Sequence, residues 1–179
     1  MRDVSPPAKT TIDFKALIHF LIDFGKHPLQ KISHLPDWNW SSLFAVHIFL
    51  SIVSGVLAGL LKFNFYRVAA GLFIMPIVST VSVLTMSLFL YYYFQFFESR
   101  TENFRKIFTL VVLSSIPFYL FQIMSEYFSA ITLVGFAFAS LLSVVGLCDN
   151  FGVERKRAYK VVGIVFLLVI LTWVTSKLF

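Results

Sequence analysis

Charge is scarce in this chain. Of its 179 residues only 13% are Asp, Glu, Lys or Arg, while 58% are hydrophobic. A water-soluble domain carries about a quarter charged residues. Half that share cannot cover the surface of a soluble domain of this length, and mean hydropathy is +0.83. The composition therefore specifies an integral membrane protein, and excludes a cytosolic enzyme and a disordered chain. Cysteine is almost absent. Cys148 alone excludes an intrachain disulfide framework and any CxxC metal site. It reads as a small apolar residue at a helix end. Catalytic signatures are missing as well: there is no GxSxG, no HExxH and no GxxxxGK[ST]. His27 and His34 are seven residues apart, but no carboxylate or thiolate cluster completes a metal site. No catalytic residue, metal or cofactor is expected. The net charge of +6 does not point to nucleic acid, because the basic residues form short clusters between apolar runs.

What is present is a set of long uncharged stretches: Trp38 to Leu61, Val68 to Phe97, Ile107 to Ser125, Tyr127 to Cys148 and Val161 to Ser176. A spanning helix needs about 20 residues. Four stretches suffice outright, and the fifth does so once Ala158 and Tyr159 extend it and Lys160 and Lys177 snorkel. No period-2 alternation suggests barrel strands. The fold class is therefore all-α: a five-span helix bundle, with spans near residues 41–61, 68–97, 107–125, 127–148 and 158–177. Cations set the orientation. Arg2, Lys9, Lys15, Lys26 and Lys31 precede the first span, Arg100, Arg105 and Lys106 follow the second, and Arg155, Lys156, Arg157 and Lys160 follow the fourth. The other side holds only Lys62, Arg67 and Lys177. The N-terminus is expected in the cytoplasm and the C-terminus outside. No signal peptide is apparent, so the first span would be an uncleaved anchor. Pro76 is expected to kink the long second span, and Tyr91 to Phe97 to form an aromatic belt.

Residues 1–11 read as a disordered tail, and residues 12–35 as a cytoplasmic amphipathic segment. Leu17, Phe20, Leu21 and Phe24 share one face of a helix that Thr10 or Thr11 would cap and Gly25 and Pro28 would end. That face either lies in the bilayer interface or packs on the same molecule. Small residues recur every fourth position: Ser51, Gly55 and Gly59 in the first span, and Gly135, Ala139 and Ser143 in the fourth. Such stripes bring helices close. Packing within the bundle is the plain interpretation and dimerisation the alternative, so a homo-oligomer is compatible with the sequence. Span interiors hold no Asp, Glu, Lys or Arg. His47 is the ionisable side chain well inside a run; it reads as an interfacial or hydrogen-bonded histidine, with binding of a proton or ligand as the alternative. Glu126 reads as a solvated carboxylate between two spans.

The stretch Phe104-Arg105-Lys106-Ile107-Phe108-Thr109 through Ser114-Ser115-Ile116-Pro117 resembles the Yip (Ypt/Rab-interacting protein) domain. So does Gly146-Leu147 through Phe151-Gly152-Val153-Glu154-Arg155-Lys156-Arg157-Ala158. The resemblance covers about residues 25–179, with Pro117, Gly146, Gly152 and Ala158 at motif positions. It implies five spans and a cytoplasmic N-terminus. Two departures, Glu98 to Asn103 in place of glycines and no long Pro/Gln-rich tail, resemble a short bacterial-type member. That implies the bacterial inner membrane; for a eukaryotic member it would be the Golgi or endoplasmic reticulum, where relatives are associated with Rab-type GTPases and vesicle traffic.

The expected function is that of a non-enzymatic membrane organiser or scaffold. Its cytoplasmic Arg105, Lys106, Arg155, Lys156, Arg157 and Lys160 would bind anionic headgroups of membrane lipids, or a protein partner. The alternative is a small transporter, channel or lipid scramblase. In that reading Pro76 and Pro117 open a polar cavity lined by Ser79, Ser82, Thr85, Ser114, Ser115, Tyr119 and Gln122.

Overall fold

The computed structural model describes residues 14–125 and 127–178, and those residues form helices joined by short turns. The readings placed on residues 1–11 and on Glu126 lie outside the described residues. Two short helices, α1 (Phe14–Lys26) and α2 (Pro28–Ile32), precede the bundle. Then come α3 (Trp40–Leu61), α4 (Phe65–Phe97), α5 (Phe104–Ser114), α6 (Ile116–Met124), α7 (Ile131–Phe151) and α8 (Arg155–Leu178). Five segments are long and apolar enough to cross a membrane, with α5 and α6 together forming the third.

Asparagine side chains start three of the spans. Asn39, Asn64 and Asn103 accept hydrogen bonds from the backbone N–H groups of Ser42, Arg67 and Arg105, at 2.8, 3.2 and 3.0 Å. Each satisfies a donor that the first helical turn leaves unpaired. The third span starts at Phe104 rather than 107, because this cap lies before the two basic residues. It is also where the chain breaks. Pro117 has no N–H to give the Leu113 carbonyl, and α5 stops at Ser114, with Pro117 in the first turn of α6. Pro76 acts differently: it lies inside α4, which runs without interruption over 33 residues.

The halves of the broken span form the axis of the molecule. Every residue from Ile107 to Ser114 is buried. α3 and α4 form a tight antiparallel pair, α4 also packs on α5, and α3 packs on α6. α7 lies against α5 and α6 on the other side, and α8 packs on α7 at the edge.

Glycine makes the α3–α4 seam. A Cβ on Gly55 would lie 2.7 Å from Gly71 Cα, and one on Gly59 would lie 2.6 Å from Val68 N. Backbone thus touches backbone, the approach that small-residue stripes permit in lipid. Ser51 in the same stripe is buried and donates to the Ile48 carbonyl at 2.9 Å. On α7, a Cβ on Gly135 would meet Phe121 Cβ at 2.9 Å. Ala139 accepts from Ser143 Oγ through its carbonyl at 2.9 Å. Gly55, Gly59 and Gly135 thus lie against neighbouring helices of the bundle, while Ala139 borders a cavity.

Candidate functional site

The turns before α3, between α4 and α5, and between α7 and α8 meet at one end of the bundle, and form a cation-rich face. Asn150 is its clamp. Its Oδ1 accepts from Leu35 N–H at 3.1 Å, and its Nδ2 donates to the carbonyls of Ile32 at 2.8 Å and Gly146 at 3.1 Å. Ser33 Oγ donates to Asp149 Oδ2 at 2.5 Å. The α1–α2 segment is thereby tied to the end of α7. The apolar face of α1 packs inward: Leu17 and Phe24 are buried, and Phe20 meets Trp38 edge-on at 4.8 Å. Ile18 and Ile22 stay about half exposed along its outer edge.

The basic residues of this face divide into two groups. In the first, each cation has an internal partner. Arg105 pairs with Asp37 at 2.6 Å. Lys106 donates to the Asn150 carbonyl at 2.8 Å and lies 5.0 Å from the Phe151 ring centroid. Arg157 pairs with Glu98 at 3.3 Å and Glu154 at 3.4 Å. Arg100, which the sequence did not single out, donates to the Phe151 carbonyl and pairs with Glu102 at 3.5 Å. In the second group are Arg155, Lys156 and Lys160, all exposed at the start of α8. None of these three has an ion pair among the described residues. The sequence therefore groups six cations that the structure separates into three with internal partners and three exposed ones without an ion pair among the described residues.

A second polar locus lies within the bundle. His47, seven residues into α3 and so about 10 Å along it, is fully buried. Its Nδ1 is 3.3 Å from the Tyr119 hydroxyl and its Nε2 is 3.2 Å from Thr80 Oγ1. Thr80 Oγ1 already donates to the Pro76 carbonyl at 2.6 Å. Nε2–H must then be the donor to Thr80, and Nδ1 must accept from Tyr119. Ser54 Oγ donates to the Tyr119 backbone carbonyl at 2.8 Å. The network joins α3, α4 and α6, and uses both imidazole nitrogens.

Beside this network a cavity of about 300 Å³ opens between α4, the α5–α6 break and α7. Ser79, Ser82, Ser115, Tyr119 and Gln122 line it among apolar side chains. Of the seven polar residues expected at such a cavity, these five are there. Thr85 is exposed elsewhere on α4, and Ser114 is buried with its hydroxyl on the Val111 carbonyl. At the cation-rich end Phe94 of α4 and Phe151 of α7 close the gap, with ring centroids 5.2 Å apart.

The sequence model of the Yip1 domain matches residues 23–176, most of the chain. The chain belongs to the Yip1 domain family. No curated protein and no solved structure matches it. The motif positions of this Yip1 domain hold the architecture. Pro117 makes the break between α5 and α6. A side chain on Gly146 would collide with Leu110 and press on Ile32. Gly152 ends α7 at φ +60, a left-handed conformation that favours glycine. Ala158 is fully buried in α8. The sequence reading of this Yip1 domain missed Asn150, Asp149 and Gly71. Gly71 carries a visible signal, since it is the only glycine of the long second run. Asn150 and Asp149 carry none until the fold brings Ser33 and Leu35 beside them.

Proposed function

We propose that this Yip1 domain protein is a non-enzymatic membrane organiser whose cation-rich face lies in the cytoplasm and gathers anionic lipid headgroups. The observation that carries this reading is the outward trio Arg155, Lys156 and Lys160. These side chains sit where α8 enters the apolar layer, and they have no internal carboxylate partner among the described residues. A basic residue near an anionic surface contributes about 1 kcal/mol. Arg105, Lys106 and Arg157 belong to the same surface and shape it through their internal partners. The excess of Lys and Arg on this side supports the cytoplasmic orientation. An acidic protein partner would use the same three cations.

The test is headgroup selectivity of the reconstituted protein, measured with spin-labelled phosphatidylglycerol and phosphatidylcholine. The triple variant Arg155→Gln, Lys156→Gln, Lys160→Gln should lower selectivity for phosphatidylglycerol several-fold. Raised salt should do the same to the parent protein. Selectivity that survives both would overturn the proposal.

The alternative of a transporter, channel or scramblase is favoured by the polar-lined cavity and opposed by its closed end at Phe94 and Phe151. Ion or lipid flux in reconstituted vesicles would establish it in place of the organiser.

A further inference from the structure

We propose that the cavity between α4 and α7 is a binding site for an uncharged lipid with a hydroxyl headgroup, of the diacylglycerol class, which enters sideways from the bilayer. α4 and α7 each pack on the broken span, and their ends meet at Phe94 and Phe151. Above that contact the two helices are the sides of a cleft whose floor is α5 and α6. Val78 and Ser82 at its rim are exposed on the membrane-facing side of α4. A volume of about 300 Å³ is at the small end for ligand sites. It takes a headgroup and the first carbons of a chain, while the remaining chain stays among the bilayer lipids.

The wall chemistry selects the headgroup. No Asp, Glu, Lys or Arg lines the cleft, and a charge taken there would be unpaired in hydrocarbon. The wall hydroxyls have already spent their protons. Ser82 donates to the Val78 carbonyl at 2.9 Å, Ser115 to Val111 at 2.7 Å, and Ser79 to Pro76 at 3.1 Å. They present only lone pairs to an incoming molecule. Gln122 adds an unmet need. Its Nε2 reaches only the Met75 sulfur, at 3.6 Å, and its Oε1 is buried with no partner. A thioether sulfur is a weak acceptor, so the Gln122 amide N–H groups are left to take an ester carbonyl of the same lipid. The cleft thus asks for an O–H donor without charge. Esters and ketones without a donor do not meet that need, and phosphate-bearing lipids bring a charge that nothing in the wall balances.

The experiment uses the intact protein in phosphatidylcholine nanodiscs with a diazirine-bearing diacylglycerol. Crosslinks should map to α4, α6 and α7, and unlabelled diacylglycerol should displace the probe. Its 3-acetyl analogue, which has lost the donor, should compete at least about fivefold less well, the loss expected for one hydrogen bond. Phosphatidylglycerol should not compete, which separates this site from the cation-rich face. Gln122→Leu should weaken labelling by a similar factor. Ala139→Leu and Ser82→Leu, which fill the cleft from opposite walls, should abolish it; two variants are used so that one that misfolds, as judged by thermal unfolding, leaves the other. Equal competition by the acetylated analogue would overturn the proposal. So would crosslinks spread over lipid-facing α8, or labelling unchanged by filling in a folded variant.

Discussion

Replacing Gly71 with alanine adds one methyl group at the point where α3 and α4 are closest. That methyl would lie 2.5 Å from the Gly55 carbonyl oxygen and 2.7 Å from Val56 N. Non-bonded carbon contacts are favourable at about 3.5 Å. Both partners are backbone atoms in helices, so no side chain can swing away, and the helices must part by about 1 Å. A gap of that size forfeits about a quarter to a half of each well of 0.1–0.2 kcal/mol along the seam. Summed over a few dozen atom pairs, this gives a destabilisation of about 1–3 kcal/mol, the usual range for an overpacked site. Lipid offers no hydrophobic force to press the helices back together. Alanine also has a higher helix propensity than glycine by about 1 kcal/mol, which acts in the other direction. Gly163→Ala supplies the correction, because a Cβ there meets nothing within 4 Å. The assay is equilibrium unfolding in mixed micelles, followed by tryptophan fluorescence. Gly71→Ala should be less stable than Gly163→Ala by about 1–3 kcal/mol. Equal stability of the two variants would refute the backbone-contact account of the seam.

Three further outcomes are expected. Gly152→Ala should lose about 1–2 kcal/mol, because alanine pays the left-handed penalty at φ +60; thermal unfolding measures it. Asn150→Ala should leave the Ile32 carbonyl and Leu35 N–H without their side-chain partner. Limited proteolysis should then cut the α1–α2 segment faster while the spans stay protected, and an unchanged cleavage rate would show that the clamp holds nothing. Tyr119→Phe removes one contact to His47 and should cost less than about 2 kcal/mol, as interhelical hydrogen bonds in membranes do; a larger loss in the same unfolding assay would mean that the His47 network carries more than pairwise bonds.

Much of this architecture is readable in advance because hydrocarbon allows few solutions. Long uncharged runs must be helices, and Lys and Arg pile up on one side whatever else the chain does. The small-residue stripe Ser51, Gly55, Gly59 announces a close helix contact, and Gly71 is its partner. What periodicity does not convey is pairing across distance. The six cations look alike as a string. Only the fold gives Arg105 to Asp37 and Arg157 to Glu98, and leaves Arg155, Lys156 and Lys160 outward. Two prolines in apolar runs look equivalent too. Pro117 divides its span, whereas α4 continues through Pro76. Near Pro76, the hydroxyls of Ser79 and Thr80 cluster on its carbonyl and meet His47. The histidine's role was chemically foreseeable, but its partners come from two other helices.

The knot of Ser33 and Leu35 with Asp149 and Asn150 fixes an order of assembly. Its two strands are separated by 116 residues of chain. When a ribosome has released α1 and α2, the residues that will hold them have not been made. Leu17 finds Ala45 and Val46 as soon as α3 is made, but Ser33 and Leu35 wait for their partners through four crossings. The cation-rich surface is therefore a late product of biogenesis, and a chain truncated before α7 would carry its spans without that surface.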